Sequence, residues 1–166
     1  MKIIITSILA LLISSTVTYG DSHDLEIYIR YYGMHVYKDY RVNDNKIEFV
    51  FGISGGKELE KYSRILNSDE VKMLIEFTEK CDLSKLERHY INRNVKDGYR
   101  VSYEIKLNGA EFKTHTSNVY HPTLISICDK INELLPNDFH MHIPSKDTSS
   151  MIMFDQIKNT EQVIKQ

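Results

Sequence analysis

The chain has no tryptophan, only three prolines, seven glycines and two cysteines in 166 residues, and no surplus of positive charge. Each shortage removes a class of protein. So little proline and glycine excludes a collagen-like or low-complexity chain, and no internal repeat is present. Two cysteines are too few for a small fold stapled by several disulfides. With 21 Lys and Arg against 23 Asp and Glu, no basic surplus is available for a phosphate-binding face, so nucleic acid is not an expected partner. No Asn-x-Ser/Thr sequon occurs.

Catalytic signatures are missing as well. There is no nucleophile-elbow serine and no His-Glu-x-x-His, and the GISGGKE stretch lacks the spacing and the Lys-Ser/Thr of a phosphate-cradling loop. The acidic pair Asp69-Glu70 opens a helical pattern, where the helix dipole accounts for it without catalysis. The sequence therefore predicts no enzyme and no cofactor.

What is present begins with MKIIITSILALLISSTVTYG: one lysine, an apolar run from Ile3 to Ile13, then small and polar residues. This is the grammar of a secretory signal peptide over residues 1–20. The run is shorter than the ~20 residues that span a bilayer, and no other segment is long and apolar enough. The expectation is an exported protein, periplasmic or extracellular, with no membrane attachment after cleavage. Its mature net charge would be −3, since Lys2 is the only charged residue removed.

From Leu25 the pattern has period two, with Leu25, Ile27, Ile29 and Tyr31 on one face and Glu26, Tyr28, Arg30 and Tyr32 on the other. The same alternation recurs over 34–42, 46–53 and 59–66. NSDEVKMLIEFTEKC then switches to helical spacing, with Asn67 and Glu70 placed for a capping box and Val71, Leu74, Ile75, Thr78 and Cys81 on one stripe. Residues 82–98 read as an irregular polar connection. Asn108-Gly109 between two alternating runs marks a hairpin. Pro122 starts a second helix, whose apolar stripe includes Leu124, Ile127, Cys128 and Ile131, and Pro136 ends it. Together these predict one α+β domain over 21–143: an antiparallel sheet of about six strands with two helices on one face. Residues 144–166 form a tail with a weak amphipathic pattern through Met153, Ile157 and Ile164.

Cys81 and Cys128 lie on the apolar stripes of the two helices. They read either as a disulfide, which would stabilise by roughly 4 kcal/mol in the chain-entropy model, or as two buried free thiols. In PNDFHMHIPS, His140 and His142 are two apart and on one side if extended. They are metal candidates if a third ligand joins them, or else histidines on a closing strand whose other face is Phe139, Met141 and Ile143. His23 would be third in a mature chain starting Asp21-Ser22-His23, where a free amine and imidazole can wrap Cu(II) or Ni(II).

The mature chain carries ten tyrosines, several on the polar faces of strands. If the first two strands pair, Tyr28, Arg30, Tyr32, Tyr37 and Arg41 share an outward patch. Tyrosine and arginine are enriched in binding hot spots. The patch is thus a candidate contact surface for a partner protein, or a set of cross-strand pairs that steady the sheet.

The segments RILNSDEVKMLIEF, DGYRVSYEIKLNGAEF and HPTLISICDKINELL, in this order, resemble those of small exported bacterial inhibitor-type domains, the emfourin-like inhibitors of thermolysin-type proteases. YYGMHVY stands where that family has a glycine-glycine-phenylalanine segment, and the resemblance assigns no functional residue here. It implies an exported domain that docks onto an enzyme. The expected function is thus a secreted or periplasmic protein-binding domain, an inhibitor or an immunity protein against an enzyme or toxin. The alternative is a small metal- or ligand-binding protein.

Overall fold

Alternation lays down a meander of four antiparallel strands: β1 (Leu25–Tyr32), β2 (Val36–Asn43), β3 (Lys46–Ile53) and β4 (Lys57–Ile65). The computed structural model describes residues 24–43, 45–95 and 98–142 and the backbone of 152–153. The expected signal peptide, His23, Ile143 and nearly all of the tail lie outside these residues.

Helix α1 (Ser68–Lys80) starts as its sequence dictates. The Asn67 side chain accepts from the Glu70 amide at 3.0 Å, and the Glu70 carboxylate accepts from the Asn67 amide at 2.9 Å. Arg64, at the end of β4, clamps this corner. Its guanidinium donates to both Glu70 oxygens and to the Leu134 carbonyl, which ties β4 to the start of α1 and to the chain just beyond the second helix.

After α1 come β5 (His89–Ile91), β6 (Arg100–Leu107), β7 (Ala110–Ser117) and the short β8 (Val119–Tyr120). The turn between β6 and β7 has Asn108 and Gly109 at φ 50° and 79°, the left-handed pair that a two-residue hairpin needs. Helix α2 (Pro122–Asn132) follows with Pro122 in its first turn, and β9 (Ile152–Met153) runs parallel to β8 in a separate two-stranded sheet.

The main sheet is open, with order β4-β3-β2-β1-β6-β7-β5. It has seven strands, one more than the sequence suggests, and the extra one corrects the expected irregular connection. Three residues cannot display a period, so β5 was invisible to pattern alone. Long-range bonds hold it: β5 pairs in parallel with β7, and Thr114 donates to the Glu87 carbonyl at 2.6 Å beside it.

One face of the sheet carries the core. Ile27, Ile29, Ile47, Ile105, Leu74, Leu124, Ile127 and Ile131 are essentially inaccessible, each contributing about 1.5–3 kcal/mol of burial. Tyrosines also serve here: Tyr31 meets Tyr40 and Tyr99 edge-on at ring distances of 5.7 and 5.2 Å. Residues 136–142 close this core, but with a 3-10 turn (Asn137–Phe139) rather than as a strand. Phe139 packs between Phe49 and Tyr62, and the Asn132 amide bonds both the N–H and the C=O of Met141. A side chain takes the place of a strand ladder there.

Candidate functional site

Register brings the five expected contact residues together on the sheet face opposite the core. Tyr28 stands against Arg41, Arg30 against Asp39 and Tyr32 against Tyr37. The centre of the patch is Asp39, which is only 1% exposed although no helix among the described residues covers this face. Arg30 grips it with two bonds of 2.6 Å, Tyr28 donates to it at 3.1 Å and Arg41 at 3.2 Å. The rings complete the cover: the Arg30 guanidinium lies 5.4 Å from the Tyr28 ring centre and 5.0 Å from that of Tyr37, and Arg41 lies 5.3 Å from Tyr28.

The electrostatics follow from that packing. Burial first, and then the Asp39 charge, push the Tyr28 phenol up to about 12, so it stays a neutral donor. The bonds to Asp39 raise Arg30 further above its usual range. Arg30 is therefore the clamp of the patch, while Tyr32 (45% exposed) and Arg41 (48%) are its accessible members. Tyr37 sits over Gly52 on β3, where an added Cβ would come within 2.5 Å of its ring and 2.8 Å of the Lys57 carbonyl. Only glycine leaves room for this tyrosine.

The histidine candidates are placed differently. The His140 Nε2 contacts the Leu135 carbonyl at 3.0 Å, which makes that nitrogen a donor, and the ring is turned back on its own chain. His142 is exposed, and its backbone carbonyl accepts from the Tyr99 hydroxyl. Among the described residues no three His, Cys, Asp or Glu side chains gather as a metal would need, and His23 lies outside them. Cys81 and Cys128 are free thiols in this structure. Cys128 is fully buried against the Tyr31 hydroxyl at 3.6 Å, and burial pushes its thiol up to about 12. Burial also raises Cys81, so neither is an activated nucleophile.

A second cluster had no sequence signal, because it draws on four strands. Ser102 of β6 lies 2.7 Å from His115 Nδ1 of β7 and donates to the Tyr32 hydroxyl of β1 at 3.3 Å. A hydroxyl has one proton, so the imidazole is the donor in the shorter bond. The serine thus faces an N–H and not a base, which does not activate it for attack. His89 of β5 stacks on His115 at 5.3 Å between ring centres. Burial, followed by the His89 charge, holds the His115 imidazole below its usual value and hence neutral near pH 7.

No helix among the described residues is long and apolar enough to cross a membrane. No known family model matches the chain, and no curated protein matches its sequence.

Proposed function

We propose that this protein acts by docking a partner protein on the sheet face opposite its core, as an inhibitor or an immunity protein acts on an enzyme or toxin outside the cytoplasm. The observation that carries the reading is the patch around Asp39. Tyr28 and Arg30 are held by a buried carboxylate, and the Tyr37 ring lies against the Arg30 guanidinium, before any partner arrives, so little side-chain entropy remains to be lost on docking. Tyr32 and Arg41 stand at its accessible edge, the residue types that dominate hot spots. The partner is a folded protein with carboxylates able to meet Arg41 and an apolar surface for the tyrosine rings.

The test is capture from periplasm and culture medium with mature protein, followed by affinity measurement on the captured partner. Tyr32→Ala and Tyr37→Ala should each weaken binding by about 1–3 kcal/mol. A control, Lys72→Ala on the opposite side in α1, should not. Adding the pure protein should lower the activity of a captured enzyme or toxin. Unchanged affinity in both tyrosine variants would remove this face as the docking surface.

A further inference from the structure

Beside the patch, the Asn92–Val95 loop and the ends of β1, β5, β6 and β7 enclose a cleft of about 640 Å³. That volume is within the ~300–1,000 Å³ range of small-molecule sites. The roomier hollow along α1, about 830 Å³, lacks a comparable set of convergent donors.

Charge distinguishes the cleft. Arg30, Arg41 and Arg64 each pair with a carboxylate, whereas Arg93 and Arg100, both exposed and both lining the cleft, pair with none among the described residues. None of the described residues lining it is an acid. At the floor, His115 donates to Ser102 and Ser102 donates to Tyr32, so the phenol proton of Tyr32 is free to meet an acceptor. Guanidinium forks and a hydroxyl donor suit an oxyanion. The wall is apolar: Ile91 is 42% exposed, and the Tyr32 ring and Val95 stand beside it. A cation is the wrong sign for this place, because the two imidazoles of His89 and His115 lie beside Arg88 as well as the cleft arginines.

We propose that the cleft binds an organic carboxylate, with its oxygens on Arg93, Arg100 and the Tyr32 hydroxyl and its apolar or aromatic body against Ile91 and Val95. The site shares Tyr32 with the docking face, but Arg93, Arg100, Ile91 and Val95 lie outside that patch and its test uses the protein alone. The carboxylate comes either from a free acid or from the C-terminus of a peptide chain.

The measurement is NMR titration of the mature protein, following the His115 ring and the Arg93 and Arg100 Nε resonances. 3-Phenylpropionate should give saturable shifts at these residues. The double variant Arg93→Gln/Arg100→Gln, with an otherwise unchanged spectrum, should bind it at least tenfold more weakly. A short peptide ending in Phe with a free carboxylate is the second arm. Binding tenfold tighter than phenylpropionate identifies a chain terminus as the source, and equal or weaker binding identifies a free acid. No saturable shift, equal shifts with the neutral 3-phenylpropionamide, equal affinity for inorganic phosphate, or full affinity in the double variant would each overturn the assignment.

Discussion

Arg30 and Asp39 face each other across β1 and β2 and are joined by two bonds of 2.6 Å, yet they differ in burial: the arginine side chain is 32% exposed and the aspartate 1%. The pair is therefore asymmetric in what each partner loses alone. Removing Arg30 strands a buried carboxylate with only Tyr28 and Arg41, while removing Asp39 frees a guanidinium that already reaches water.

Arg30→Ala should accordingly cost about 3 kcal/mol, and Asp39→Asn about 1–2 kcal/mol. Urea unfolding of the two variants checks the order. Equal losses would mean that the carboxylate is better solvated than its burial indicates.

Gly52→Ala should cost about 1–3 kcal/mol, because the new methyl meets the Lys57 backbone carbonyl as well as the Tyr37 ring. It should also displace Tyr37 from over Arg30. Thermal unfolding gives the first effect, and a changed Tyr37 ring resonance gives the second. A Gly52→Ala protein of unchanged stability would show that the strand pair relaxes freely.

The thiols should label in order. Native protein treated with iodoacetamide without reductant should be modified slowly at half-buried Cys81 and only after unfolding at Cys128, which is inaccessible. Mass spectrometry after each step reads this. Failure of both thiols to label even when unfolded without reductant would indicate a bridge between them.

Glu70 supplies a pH signature. The Arg64 guanidinium, and then the Asn67 amide, hold its carboxyl below the usual 4.5. A depressed value means stability that is present above the unfolded-state pKa and lost as pH falls through the folded one. Wild type should thus lose stability below about pH 4.5, and Glu70→Gln should lose less over that window while starting lower at pH 7. Parallel pH curves for the two proteins would contradict this.

Much of the fold is legible in the sequence. Period-two runs gave six strands and their faces, Asn67 with Glu70 announced α1, Pro122 announced α2, and Asn108-Gly109 marked the hairpin, because each is a local backbone requirement written in adjacent residues. The same alternation placed Tyr28, Arg30, Tyr32, Tyr37 and Arg41 outward. Tyr31, which it set on the apolar face with Leu25, Ile27 and Ile29, is buried there, and Tyr40, Tyr90 and Tyr103 are buried as well.

Tertiary structure decided the rest. Strand register alone buried the Asp39 carboxylate on the face opposite the core, because three donors and two rings from neighbouring positions had to arrive together. The short β5 exists only through its pairing with β7. Tyr32, Ser102 and His115 stand 70 and 13 residues apart along the chain and touch only when three strands align. Sequence spacing specifies which face a side chain takes, and long-range pairing specifies what it meets there.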